Sequence, residues 1–423
     1  MVEELTPLGL VTREAVAARA ALDRLSDAAV ADALGRGAGL LRERRGEVLR
    51  ASEADVAAAT GKLDEGALDR LRLDDDRIET IARGLEATAE LAPIDREVRT
   101  WTLPNGLRVS ERLVPIGVVG ANFEARPNVA VDVASQVLKS GNTVVLRTGG
   151  AALGAVTELV DGVLRPALEQ SGLPADAVGL VRSPDRAGAE ALVSLPDLIP
   201  LVVLRGSGPS TASLARRAAL NGVRTLAHAE GGGVLYVHEA ASLERLVDVA
   251  RASLDRLGVC NRLNLALVDA GARAMLSTLV EIFREHDLEI RGTEAVLDLP
   301  GVLLLDERLG HEWASDAERI STVTLHLVEG LDEAVRIANE ETSGLAATIV
   351  TEDDAAAARF LDGYRGTAAF WHAPTRFTDG FELTGAPETG INVGWAPGPR
   401  GPVTYRDLWL RQYRIVGDGT QRR

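Results

Sequence analysis

The chain holds one cysteine, Cys260, in the stretch Leu257-Gly-Val-Cys-Asn-Arg-Leu. A thiolate attacks an acyl carbon readily and later departs readily, so a well-placed cysteine can carry an acyl group between two half-reactions. That chemistry requires a lowered thiol pKa, which nearby cations or hydrogen-bond donors supply. Asn261, Arg262 and Arg256 are the donors close by in the chain. The competing reading is plain. A lone cysteine between the Gly258 break and the apolar run Leu263–Val268 packs as a small inert core residue, and on context alone that is the commoner outcome.

A second group is Pro115-Ile-Gly-Val-Val-Gly-Ala-Asn-Phe-Glu-Ala-Arg-Pro-Asn. A buried strand ends in small residues, and Arg126 and Asn128 follow just before a helix. Arg126 suits an anionic group, and the Asn128 amide suits an oxyanion developing on an attacked carbonyl. The same residues also fit an ordinary strand–turn–helix connection with an N-capping asparagine. Two glycine-rich turns come next, Arg147-Thr148-Gly149-Gly150 and Arg205-Gly206-Ser207-Gly208. Each lies between a strand and a helix, where backbone N–H groups can meet a phosphate or a ribose. One such turn is a weak signal; two in one sheet point to a nucleotide cleft. His228 and Glu230, in Leu226-Ala-His-Ala-Glu-Gly-Gly-Gly, are either a proton-transfer pair or polar residues of a hinge turn. The six histidines show no ligand spacing and one cysteine cannot build a thiolate cage, so no metal is expected.

These groups need elements to position them, and the hydrophobic periodicity supplies three kinds. The first hundred residues are helical, with Ala17, Leu22, Leu25, Val30, Leu34 and Leu40 at helical spacing. Ser52-Glu-Ala-Asp reads as a capping box, and Leu68 to Leu91 as one amphipathic stretch. The period then changes: Val98–Leu113 alternates on both sides of Pro104-Asn-Gly, the mark of a hairpin. From Val114 strands alternate with helices up to about Thr378, which predicts parallel sheets covered on both faces, with ligands at the strands' carboxyl ends. Helices are expected at Val129–Leu138, Ala152–Gln170, Leu243–Leu257, Arg273–Glu285 and Asp332–Glu340. The tail from Thr404 to Val416 alternates again and can join the hairpin in a small separate strand module.

Composition narrows the function. At 423 residues the chain needs more than one core. A net charge of −16 opposes nucleic acid as a partner, since phosphate contacts need a basic surface. No apolar run reaches the roughly 18 residues of a membrane span. Met1 is followed by Val2, Glu3 and Glu4, without the basic start of a signal peptide, so a cytoplasmic protein with no membrane partner is expected. One cysteine excludes an intrachain disulfide. Lys62 and Lys139 are the only lysines, so arginine supplies nearly all positive charge, which GC-rich coding accounts for.

Taken in order, these segments resemble the gamma-glutamyl phosphate reductase family, the glutamate-5-semialdehyde dehydrogenases of proline synthesis, within the aldehyde dehydrogenase superfamily. The strings that carry it are PNGL at 104–107, VPIGVVG and EARPNVAVDVAS within 114–135, LKSGNTVVLR at 138–147, GVCN at 258–261, LDEAVRIAN at 331–339, IVTED at 349–353, TRFTDG at 375–380 and ETGIN at 388–392, with LDRLRL at 68–73 in the helical start. They span nearly the whole chain. The resemblance implies an α/β, aldehyde dehydrogenase-like fold: a Rossmann-type cofactor domain at 1–97 and 115–232, an α/β catalytic domain at 233–380, and a β oligomerisation module at 98–114 and 403–423. It implies NADPH as cofactor, although no residue is an unambiguous reader of the 2′-phosphate, and a homodimer or homotetramer. By carry-over Cys260 attacks an acyl phosphate, phosphate leaves, and the thioester is reduced to the aldehyde, with Asn128 and Asn261 assisting. The cofactor then meets Arg147, Thr148, Gly149, Gly150, Arg205, Gly206, Ser207, Gly208 and Glu230. The substrate meets Arg126, Arg376, Thr378 and Glu388. A kinase that makes the acyl phosphate is the implied partner.

The chain departs from its relatives near the cysteine. They carry Cys-Asn-Ala and then Glu-Thr; here Arg262, Asn264 and Leu265 stand near those places, with Ser253 near a family lysine and Leu257 in place of proline. Ser-Gly-His-Ser becomes Ser343-Gly-Leu-Ala, Asn-Ala-Ser-Thr-Arg-Phe becomes His372-Ala-Pro-Thr-Arg-Phe, and the ends near Ala396 and Leu410 also differ. A site that loses hydrogen-bonding groups discriminates against a polar substrate. Reduction of a different activated acyl group, a modified amino acid or a carrier-bound thioester, is therefore the second expectation beside gamma-glutamyl phosphate. Aldehyde oxidation with Glu230 as base and a non-catalytic nucleotide-binding relative are the remaining classes.

Overall fold

The computed structural model describes residues 6–206, 208–228, 230–316, 318–394 and 398–422. Helices Pro7–Ala21, Asp27–Glu43, Arg45–Ala59, Glu65–Leu71 and Asp75–Glu90 fill the first ninety residues. Side-chain oxygens of Ser26, Asp64 and Asp74 accept the free backbone N–H groups at three helix starts. Leu68–Leu91 is not one helix: the first ends at Leu71, with Arg72 extended after it, and Asp74 caps the start of the next. Ser52 is no cap. It lies inside the helix Arg45–Ala59, buried, and its Oγ accepts the Leu73 N–H at 2.9 Å across the helix–helix junction. The motif matched because a capping box is a four-residue string that a helix interior can also contain.

Among the described residues the parallel strands form two sheets. One has the spatial order Val178–Leu180, Thr143–Thr148, Val118–Phe123, Leu201–Arg205, Arg224–His228. One face packs on the helices Asp27–Glu43, Asp75–Glu90 and Asn128–Lys139, the other on Pro7–Ala21, Arg186–Leu192 and Gly208–Leu220. Val118–Phe123 is buried at every position because both its faces are covered. Each fully buried Val or Leu there contributes about 1.5–3 kcal/mol, which holds the strand ends rigid for a site. The second sheet has seven strands, with Leu263–Asp269 near its centre between Gly233–Val237 and Thr322–Val328. Helices Leu243–Ala252 and Leu276–Glu285 cover one face, Leu331–Glu340 and Asp354–Gly363 the other.

The hairpin forms as its alternation requires. Glu97–Thr102 pairs antiparallel with Arg108–Pro115, and Trp409–Val416 adds on the far side of that strand. Arg108–Pro115 runs within three residues into Val118–Phe123, so this sheet and the five-stranded one share a continuous chain. Asn142 locks the junction: its Oδ1 accepts from Gly117 N–H at 2.8 Å and its Nδ2 donates to the Leu408 carbonyl at 2.7 Å.

Candidate active site

The five-stranded sheet points its carboxyl ends at a cleft of about 560 Å3 whose opposite wall comes from the seven-stranded core. Arg126, Arg147, Gly149 and Gly206 line the first wall; Cys260 and Glu312 line the second. Cys260 gets there because the helix beginning at Leu243 stops at Ala252, earlier than its periodicity predicts, and residues 253–262 form a loop before the strand Leu263–Asp269. The loop is stitched to the preceding crossover by the Gly232 N–H on the Cys260 carbonyl (2.6 Å) and the Gly233 N–H on the Arg262 carbonyl (2.7 Å).

Gly231 fits closely against the cysteine. A Cβ at that position would lie 2.5 Å from both the Cys260 Cβ and carbonyl oxygen, and 2.6 Å from Glu312 Oε1. The Cys260 and Glu312 side chains therefore sit on either side of a position that only glycine can occupy. Burial and the neighbouring Glu312 carboxylate push the Cys260 thiol up to about 11, against the pull of Arg126 and Arg205. The resting sulfur is protonated at neutral pH.

Four arginines gather on the other side. Arg126, half-buried at the turn before the helix Asn128–Lys139, is held down to about 10 by its own burial and by the positive charges of Arg205, Arg70 and Arg256. No described carboxylate bonds to its guanidinium. A cluster of mutually repelling cations in a partly dry cleft is a site built for an anion with more than one charge. Arg205 adds to it from the end of its strand, 3.8 Å from Glu388 at its nearest.

The glycine turns complete the wall. A Cβ on Gly149 would meet nothing within 4 Å, so the cleft stays open beside it, whereas at Gly206 a Cβ would lie 3.1–3.4 Å from the Glu124 carboxylate. The helix N-terminus after Gly149-Gly150 is already taken: Asp55 Oδ2 accepts the Ala155 N–H at 2.8 Å. An incoming phosphate thus meets arginines there rather than the helix end.

The aldehyde dehydrogenase family model matches residues 11–285. A gamma-glutamyl phosphate reductase from Erythrobacter litoralis is 36% identical over 395 residues, covering 92% of this chain and 91% of that one. The chain belongs to the gamma-glutamyl phosphate reductase family of aldehyde dehydrogenases. A second member, from Caldanaerobacter subterraneus, is 33% identical over 90% of this chain and 92% of its own length. The crystal structure of a gamma-glutamyl phosphate reductase from Thermotoga maritima superposes with a TM-score of 0.87 at 29% identity, over 98% of this chain and 100% of that one. The aldehyde dehydrogenase fold expected from the sequence is the fold observed.

The motif residues of this reductase family fall into two groups. Cys260, Arg126, Arg147, Gly149, Gly150, Arg205, Gly206 and Glu230 line the cleft. Within it Arg147 braces the wall, donating to Asn122 Oδ1 and to the Pro184 and Asp185 carbonyls, and Glu230 accepts from Arg308 at 2.8 Å. Gly208 opens the helix Gly208–Leu220 beside it, and Ser207 lies outside the described residues. Thr148 is a correction: it is fully buried and does not line the cleft, because adjacent strand residues face opposite ways and Arg147 holds the cleft side. Asn261 is another. Its amide donates to the Arg376 and Thr378 carbonyls at 3.0 and 3.1 Å, which uses both N–H groups, so it positions the loop rather than meeting substrate. Arg376 is likewise tied to Asn261 Oδ1 and to Asp255, and Thr378 is buried; neither lines the cleft. Glu388 stands behind Arg205 and accepts the Gly380 N–H at 2.9 Å.

Asn128 does not cap its helix; its Nδ2 donates to Asp132 Oδ2 at 2.9 Å, leaving one amide hydrogen for another acceptor. Burial, with Glu388 and Asp379 adding to it, raises the Asp132 carboxyl to about 7, against Arg205. The cations acting on the sulfur are Arg126 and Arg205, not the chain neighbours Arg256 and Arg262: Arg256 pairs with Asp69 and Arg262 donates to the Thr322 carbonyl. Sequence reasoning missed Glu312, which lies in a stretch without periodic or motif signal, and Arg70, which sits in the LDRLRL string but beside no glycine turn that would mark a site.

Proposed function

We propose that the protein reduces L-glutamyl 5-phosphate to the semialdehyde with NADPH, releasing phosphate, through a thioester on Cys260. The observation that carries this is the facing of Cys260 by the arginine cluster and the glycine turns across one cleft. The relatives' printed name, gamma-glutamyl phosphate reductase, supplies the substrate. The cleft fits a dinucleotide: Gly149 leaves open space a side chain would fill, Gly206 lines the same wall, and arginines stand where phosphates need charge. Gly149, Gly150, Gly206 and Glu230 would hold the cofactor, which when bound supplies hydride to the thioester carbon.

The protein's part follows from its own groups. Arg126 and Arg205 draw the acyl phosphate in by its phosphate and favour the thiolate of Cys260. The sulfur attacks the acyl carbon, the C–O bond to phosphate breaks, and the thioester remains on Cys260. The Cys260 backbone N–H steadies the oxyanion, and a donor in such a role accounts for about 10²–10³ in rate; Asn128, tied to Asp132, does not line the cleft. A cytoplasmic homo-oligomer joined through the three-stranded module, fed by a kinase that makes the acyl phosphate, completes the reading. Exposed Tyr413 and Ile415 on that sheet supply apolar contact area. The test is the reverse reaction: glutamate semialdehyde and NADP should yield NADPH only when phosphate is present. Cys260→Ala should abolish it while NADP still binds; turnover in that variant, or turnover without phosphate, refutes the mechanism.

A further inference from the structure

We infer that Glu312 takes the proton from Cys260 and returns it, and that Arg262 and Asn264 exist in this chain to hold Glu312 ready. The inference rests on the acyl phosphate reading above for its turnover assay and on geometry alone for its thiol assay.

Glu312 is buried, and its carboxylate lies across Gly231 from the cysteine, lining the same cleft. It accepts hydrogen bonds from the Gly231 N–H and the Ser315 hydroxyl. Its backbone is gripped on both sides by one residue: Asn264 Nδ2 donates to the His311 carbonyl at 2.7 Å, and Asn264 Oδ1 accepts the Trp313 N–H at 3.0 Å. Asn264 sits on the strand that leaves the cysteine loop, so Cys260 and Glu312 are registered by the same strand. Arg262, two residues after the cysteine, is 0% exposed. Its Nη2 donates to the Thr322 carbonyl at 2.6 Å, while Nε and Nη1 are buried and have no hydrogen-bond partner among the described residues. A buried guanidinium with idle donors is costly unless an anion stands close, and Glu312 is the anion that acts on it. Both residues replace smaller or different ones in the family pattern, and both bear on Glu312.

The groups facing the pair are few. Cys260 feels Glu312, Arg126, Arg205 and Glu388; Glu312 feels Arg262 and Glu230 as well as the thiol. Burial lifts the Glu312 carboxyl above its ordinary value, and the Gly231 N–H, the Ser315 hydroxyl and then Arg262 pull against it. The step balances. The S–H proton moves to the Glu312 carboxylate as the S–C bond forms and the C–O bond to phosphate breaks, and phosphate leaves with its own proton from water. After hydride addition the oxyanion re-forms C=O, the C–S bond breaks, and Glu312 gives its proton back to the sulfur.

Two assays on the full protein decide it. Glu312→Gln removes the negative charge beside the thiol, so iodoacetamide at pH 8 should alkylate Cys260 faster, about tenfold for each unit the thiol pKa falls. The same variant should lose about 10²–10³-fold in reverse turnover and lose the acid limb of its pH profile, with the KM for NADP within about twofold. Faster alkylation with unchanged turnover, or unchanged alkylation, overturns the inference. Arg262→Met removes the cation, so the carboxyl should hold its proton to higher pH and the acid limb should move upward. A limb that stays in place overturns the role of Arg262 even where the glutamine variant folds poorly. A wild-type protein with no reverse turnover refutes the reductase reading, while the alkylation rates still decide the pair.

Discussion

Gly231→Ala is the smallest change that should disable the site. The added Cβ meets the Cys260 Cβ and carbonyl oxygen at 2.5 Å and Glu312 Oε1 at 2.6 Å, each well inside contact distance. Gly231 has no left-handed backbone, so alanine would otherwise be tolerated and even stabilise by about 0.4–1 kcal/mol through the unfolded chain. The collision reverses that sign. Cys260 cannot retreat freely, because its carbonyl is bonded to the Gly232 N–H and the next-but-one carbonyl to Gly233. Relief requires a shift of about 1 Å in the cysteine loop, an overpacking cost of about 1–3 kcal/mol. A displacement of that size at a nucleophile costs about 10²-fold in rate. Urea unfolding and reverse kinetics on the same preparation would test this, with Gly149→Ala as the contrast. There a Cβ meets nothing within 4 Å, so stability should hold and only cofactor affinity should fall. A Gly231→Ala protein with wild-type stability and kcat within about threefold of wild type would refute the placement of Cys260 and Glu312 around this residue.

Asp132 in the folded protein titrates near 7 but near 4 when unfolded, so it binds its proton more tightly when folded. The wild type therefore loses stability as pH rises from about 4 through 7, and Asp132→Asn should be the more stable protein above pH 7 by about 1–4 kcal/mol. Melting at pH 5 and 8 reads this; a gap that does not widen with pH counts against the buried carboxyl. Asn261→Ala leaves the Arg376 and Thr378 carbonyls without their donor and should cost about 1–3 kcal/mol in denaturant unfolding, with Arg376 freed from its partner. Ile415→Asp places a charge on the exposed apolar face of the three-stranded sheet and should shift the sedimentation coefficient toward the monomer; an unchanged value removes that sheet from the subunit contact.

The parts of the fold written in periodicity were legible. Strands flanked by glycine turns announced the five-stranded sheet, and Asn105-Gly106 between alternating runs announced the hairpin that forms. Short strings misled where a tertiary contact decides the outcome, as at Ser52, whose partner Leu73 lies 21 residues on. Motif residues told less about role than about company: Asn261, Arg376 and Thr378 co-occur because they bind one another. The sulfur's charged neighbours were invisible for the same reason. Glu312 lies far from Cys260 in the chain and reaches it within the second core, while Arg126 and Arg205 reach it only where the two cores meet.

That meeting makes the cysteine a clock for assembly. Before either core has formed, nothing flanks the sulfur except water, and it behaves as an ordinary thiol that ionises near 8.5. Once both have formed and meet, the same thiol is lifted to about 11. A refolding chain pulsed with an alkylating reagent is thus marked most readily before the core that carries Cys260 has formed, and more slowly afterwards. The residue that ends the folding pathway as a half-buried, protonated thiol begins it as an ordinary reactive one.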